Sequence, residues 1–193
     1  MEGGGQGSTK TDCRQGFRLF FQQIVPTGSF KVIACGGRDV AFQDFRTALN
    51  QHPHDYVVLL VDSEEAVTVG PWQHLKNRVG DNWDRPAGVT DDQAHLMVQA
   101  MEAWLLADHP ALIAYYGSGF LNASLPGHRN VELILKRDAL NALQHATEHT
   151  TKGEYHKTRH GFDLLARVDA EKVRLASNHA NRLFNVLERE ISH

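Results

Sequence analysis

Two hydrophobic rhythms alternate along the first third of the chain. Between about Lys10 and Gln23, the residues Cys13, Phe17, Phe20, Phe21 and Ile24 recur three or four positions apart, which predicts one face of an amphipathic helix. Ser8 or Thr9 is placed to cap it, and Pro26 with Gly28 breaks it. Phe30 to Cys35 reads as a strand that Gly36-Gly37 terminates. A second helix is predicted from about Asp39 to Leu49, with Ala41, Phe42, Phe45, Ala48 and Leu49 on one side. The run Tyr56–Val61 is then continuously apolar, follows the turn-prone stretch Gln51–Asp55, and predicts a buried central strand of a parallel sheet. Helix, strand, helix, strand is the order expected of an α/β fold.

Further along, the pattern is less regular. Residues 66–93 show little periodicity and are expected to form a long insert or lid. His95 to Asp108 is almost entirely apolar, interrupted by Gln99 and Glu102. Short helices are predicted at Ala111–Tyr116 and Arg137–Glu148, and the end of the chain, 161–193, is helical with Leu183, Phe184, Leu187 and Ile191 as its buried stripe. One α/β domain over 1–193 fits this length.

Composition narrows the function classes. A formal net charge of −3 gives no general basic surface, so nucleic-acid contact requires a local patch. Thr150–His160 is the strongest such patch, with Lys152, Lys157 and Arg159 against the single acid Glu154. Trp72 and Arg85 in the 66–93 segment are further candidates, one to stack on bases and one to hold a backbone. Cys13 and Cys35 have no CxxC spacing, which points away from a zinc ribbon or a disulfide framework. The absence of a long apolar run or hydrophobic leader predicts a cytoplasmic protein without membrane contact.

The candidate chemistry lies in the acids. Asp62 and Glu64 directly follow the Tyr56–Val61 strand, at the carboxyl end where α/β sheets build their sites. Their i, i+2 spacing places the carboxylates roughly 7 Å apart on one side of a strand, an arrangement that a divalent cation relieves. A solvated acidic turn explains the same residues without function. Glu102 stands within an apolar run, where an acid is costly to bury unless paired or bound to metal. Glu2 opens a glycine-rich stretch, which reads either as a floppy terminus or as a loop approaching a phosphate or metal. Hard oxygen donors of this kind suit Mg²⁺ or Mn²⁺. Lys152 or Lys157 is available to offset charge on a phosphoryl transition state.

Glu-Gly-Gly-Gly at the start, Leu-Val-Asp-Ser-Glu-Glu, Met-Glu-Ala-Trp-Leu-Leu-Ala-Asp and Gly-Glu-Tyr-His-Lys together resemble the DUF4276 family, a Toprim-like group similar to the RloB and OLD-nuclease Toprim proteins. The resemblance spans about residues 2 to 187. It implies a Rossmann-like Toprim sheet, divalent-metal phosphodiester chemistry, and the company of ABC/SMC-type ATPases in prokaryotic defence or mobile elements. By position it assigns Glu2 to the first acidic motif, Asp62 and Glu64 to the paired acids, Glu102 to the later acid, and Lys157 to a lysine after the tyrosine. The pair here is Asp-x-Glu where the pattern has Asp-x-Asp, so either Glu64 or Glu65 fills the second place, and no strand precedes Glu2. The leading expectation is a metal-dependent nuclease. The alternatives are a non-catalytic subunit docking on an ATPase and a small-molecule phosphohydrolase. Nucleic acid, the ATPase and a second copy of the chain are the partners these readings bring.

Overall fold

A computed structural model describes residues 7–192, so Glu2 and its glycines lie outside the described residues. The chain is α/β and rich in helix. Helix α1 covers Gly7–Phe21 and buries Cys13, Phe17, Phe20 and Phe21, the face its periodicity predicts. Helix α2 covers Arg38–Gln51 and buries Ala41, Phe42 and Phe45. Between them, the expected strand at Phe30–Cys35 is absent among the described residues. Val32 and Ala34 are buried there while Lys31 faces solvent. A strand exists only through a neighbour's ladder, and apart from one bridge at Gly36 this segment joins none among the described residues.

The sheet described is small: β1 (Leu59–Asp62) pairs in parallel with β2 (Ala94–Met97). The register sets Leu59 opposite Ala94, Leu60 opposite His95, Val61 opposite Leu96 and Asp62 opposite Met97. Every residue of both strands is buried. That is why β1 reads as a continuous apolar run rather than an alternating one. Alternation along the strands divides the interior in two. Leu60 and Met97 face a larger core with α1 and the C-terminal helices, whereas Leu59, Val61, Ala94 and Leu96 face a smaller one against α2.

Residues 66–93, expected as an insert or lid, help to build the smaller core. Within them α3 (Pro71–Asn77) supplies Trp72 and Leu75, and Trp83 stacks on Phe42 with ring centroids 4.5 Å apart. The apolar run 95–108 splits between two elements, β2 and the helix α4 (Met101–Leu105), with a cis peptide between Val98 and Gln99. Asp108 then caps α5 (His109–Tyr116), accepting from the Ala111 N–H at 3.3 Å. The remaining helices are α6 (Lys136–Thr147), α7 (Phe162–Leu165), α8 (Ala170–Ala176) and α9 (Asn178–Ile191). In α9, Leu183 and Phe184 are buried and Leu187 and Ile191 pack alongside the larger core. Gly16 lets α1 approach α7 closely: a Cβ there would meet the Phe162 carbonyl oxygen at 2.4 Å. Among the described residues no helix is long and apolar enough to cross a membrane.

His95 locks α9 to β2. Its Nδ1 accepts from Arg182 Nη1 at 3.3 Å, so the ring proton resides on Nε2, which donates to the Asp92 carbonyl at 2.9 Å. Burial, with the Arg182 charge adding to it, pushes the His95 pKa down to about 4. A histidine held neutral contributes stability that is complete above its unfolded pKa, about 6.5, and is lost as pH falls toward the folded value. The unfolding free energy is therefore expected to fall by on the order of 2–3 kcal/mol between those two pH values. Denaturant titrations at a series of pH values check this, and His95→Gln should flatten that part of the profile.

Candidate functional site

The site forms where the loops after the two parallel strands meet. Asp62, last residue of β1, is 1% exposed, and its Oδ1 accepts from the Met101 N–H at the start of α4 at 2.8 Å. Glu102, the next residue of α4, is 4% exposed. The two acids are 40 residues apart in the chain (102 − 62) and come together because β2 lies beside β1 in parallel and α4 begins just beyond it.

Lys157 closes the site from the opposite side. It begins a π-helical turn, Lys157–Gly161, that runs directly into α7, the kind of wide turn often found at functional positions. Its Nζ lies 2.9 Å from Asp62 Oδ2 and 3.7 Å from Glu102 Oε2. The Tyr155 hydroxyl donates to Glu102 Oε1 at 3.1 Å. Burial, reinforced by the neighbouring Glu102 charge, holds the Tyr155 pKa well above the usual phenol range, so it stays a donor. Glu102 Oε2 is buried and accepts no hydrogen bond among the described residues. An unsatisfied carboxylate oxygen is expensive to bury, and here it points toward the shared ammonium.

Asp62 is braced from behind as well. Arg38, at the start of α2, donates through Nη1 to the Asp62 carbonyl and forms a fork with Asp81, at 2.7 Å from Nε and 2.6 Å from Nη2. Its guanidinium also lies 5.0 Å from the centre of the Trp83 ring. The buried His74 ring nitrogen Nε2 is 2.9 Å from the carbonyl of the adjacent Ser63. These contacts fix the strand end, which fixes the carboxylate.

The expected residues divide into three groups. Asp62, Glu102 and Lys157 are brought into one cluster. Glu64 is close in sequence but turns away to Lys136, whose Nζ is 2.5 Å from its Oε2. Glu65, the other acid left open by the sequence, is exposed. Lys152 and Arg159 are exposed on the same segment as Lys157, with Lys152 Nζ 4.6 Å from the Tyr115 ring centre. Trp72 and Arg85 belong elsewhere. Trp72 is buried, packs against Phe42 and Phe45, and donates to the Thr90 carbonyl at 2.9 Å. Its expected role in stacking bases is corrected accordingly: an indole enclosed by core rings offers no face to a ligand. Arg85 is exposed, 3.7 Å from Asp91, and borders a separate cleft of about 550 Å³ beside Phe42 and Trp83.

Sequence reasoning missed Arg38, Gln99, Lys136 and Tyr155. Tyr155 carried a signal through its place in the Gly-Glu-Tyr-His-Lys segment, and Gln99 through its interruption of the apolar run 95–108. The others are ordinary polar residues until the fold places them.

A family model for a domain of unknown function, DUF4276, matches residues 1–188. The chain belongs to the DUF4276 family. No curated protein and no solved structure matches it. In this DUF4276 chain the matched region contains both strands and the whole acid–lysine cluster.

Gly161 tests how tightly the cluster is packed. A Cβ at this position would meet the Tyr155 hydroxyl at 2.8 Å and Met101 Cε at 3.0 Å. Gly161→Ala is therefore expected to push the phenol off Glu102 and destabilise the protein by about 1–3 kcal/mol. Equilibrium denaturation should show the loss, with a smaller penalty when the phenol oxygen is also removed in Tyr155→Phe.

Proposed function

We propose that this DUF4276 protein is a divalent-metal-dependent phosphodiesterase acting on nucleic acid, built on a Toprim-like arrangement of acids. One observation carries the reading: Asp62 and Glu102, both buried, converge on the Lys157 ammonium, with Glu102 Oε2 left without a hydrogen bond among the described residues. Two carboxylates sharing one ammonium leave an excess negative charge in a buried place, which a cation relieves.

The donor chemistry fits Mg²⁺ or Mn²⁺. Both acids offer hard oxygens, and Mg²⁺ takes one or two carboxylates while keeping its waters. Among the described residues no three acidic, histidine or cysteine side chains are grouped to hold a metal, so Asp62 and Glu102 form the described donor set. When bound, the ion would polarise a phosphodiester and activate water. The chain's own residues account for the rest. The Met101 N–H holds Asp62 Oδ1 in place, and Tyr155 holds Glu102 Oε1, so that Oδ2 and Oε2 face the same point. Lys157 can shift toward a phosphate oxygen and offset the charge that develops there. Lys152 and Arg159, exposed on the same segment, extend this positive edge for a polyanionic strand. Work alongside an ABC/SMC-type ATPase in prokaryotic defence belongs to the same proposal.

Incubation of plasmid, single-stranded DNA and tRNA with Mg²⁺ or Mn²⁺ is expected to give cleavage that EDTA abolishes. Asp62→Asn and Glu102→Gln should each lower the rate by about a hundredfold or more, as loss of a group acting on transition-state charge does. Cleavage that persists in the double variant would place the activity outside this cluster. Turnover of small phosphate esters with nucleic acid left intact would favour a phosphohydrolase instead.

A further inference from the structure

Glu64 has an unusual backbone for its residue type. Its φ of +71° lies in the left-handed region, which a side chain with a Cβ seldom adopts. Such a conformation persists where the surroundings over-determine it, and it concentrates at functional positions. Two contacts hold it here. The Glu64 N–H donates to the Gln99 carbonyl at 2.8 Å, and the carboxylate accepts from Lys136 Nζ at 2.5 Å. Gln99 also ties in Lys136, because its side-chain Oε1 accepts from the Lys136 N–H at 3.1 Å. The loop after β1, the loop after β2 and the start of α6 thus close a ring of contacts just past Asp62.

This ring differs in kind from the Asp62–Glu102–Lys157 cluster. The Lys136 side chain is 40% exposed and that of Glu64 is 21% exposed, whereas those of Asp62 and Glu102 are 1% and 5% exposed. An exposed pair of this sort is held weakly and exchanges partners readily. A stiff backbone beneath a loosely held ion pair presents a cation in a fixed place, guarded by a removable anion.

We propose that Lys136 is a phosphate-contact residue of the same site and that Glu64 is its resting counter-ion, so that a nucleic-acid backbone binds by taking Glu64's place on the ammonium. This rests on the nucleic-acid reading above and extends it to a second cation, at the start of α6. It also explains why Glu64 stands apart from the acids it accompanies in sequence: its carboxylate competes with substrate phosphate.

Fluorescence anisotropy with a labelled single-stranded oligonucleotide, in EDTA so that nothing is cleaved, tests the exchange. Lys136→Met is expected to weaken binding about two- to fivefold, the scale of one exposed charge contact. It should also reduce the slope of log K against log salt by about 0.7, one phosphate contact on a single strand. Lys136→Arg should restore both. Glu64→Gln is expected to tighten binding by a similar factor, and that gain should vanish in the Lys136→Met background. A gain that persists there would be a general charge effect and would overturn the proposal, as would an unchanged salt slope or no binding by any variant. Should Met upset folding, Lys136→Gln takes its place in the cycle. The two readings fail separately: intact coupling without metal-dependent cleavage removes the chemistry and keeps the contact, and cleavage without coupling does the reverse.

Discussion

Two buried carboxylates facing one ammonium set the terms for the middle of this protein. Asp62 and Glu102 are both buried, and burying a carboxylate is costly unless it is paired. Lys157 supplies the counter-charge across the gap between the strand ends and the C-terminal helices. Breaking such a pair by removing one partner costs far more than the pair itself contributes, because a charge is left buried and alone. The contact therefore ties β1 and α4 on one side to the π turn and α7 on the other.

Much of the surrounding architecture serves to hold those three groups still. The two-stranded sheet is short, but its faces are covered by two separate cores, so the strand end that bears Asp62 has packed side chains on both sides. Arg38 and His74 bind the backbone next to that carboxylate, and the Met101 N–H binds the carboxylate itself. On the opposite side, Gly161 leaves just enough room for the Tyr155 hydroxyl to reach Glu102. The outcome is that Asp62 has both oxygens bonded, Oδ1 to the Met101 N–H and Oδ2 to the Lys157 ammonium, while Glu102 has Oε1 bonded to the Tyr155 hydroxyl and Oε2 without a hydrogen bond among the described residues.

The elements most legible in the sequence were those whose pattern is decided locally. Helices α1, α2, α6 and α9 fall close to their predicted places, because periodicity and breakers act over a few residues. Other segments depended on distant partners. Phe30–Cys35 has the composition of a strand but joins no described ladder, and His95–Asp108 looked like a single apolar segment although it is part strand and part helix. Residues 66–93 lacked periodicity because they pack as single anchors, Trp72, Trp83 and Val89, and not as a repeating face. In the site, an acid at a strand end and an acid within an apolar run were visible from the cost of burying charge. Lys136 and Arg38 gave no such signal, since lysine and arginine are expected at any surface.

The sequence alone therefore determined the helical faces, the apolar strand that ends in Asp62, the anomaly of Glu102 and membership of a family whose motifs span the chain. Tertiary structure decided which charges meet: that Lys157 stands between Asp62 and Glu102, that Glu64 turns to Lys136, and that Trp72 is core. The division follows from range. Propensity and the penalty for burying a charge are properties of a residue and its near neighbours, whereas the partner that relieves that penalty is chosen by parallel strand pairing and helix packing across dozens of residues.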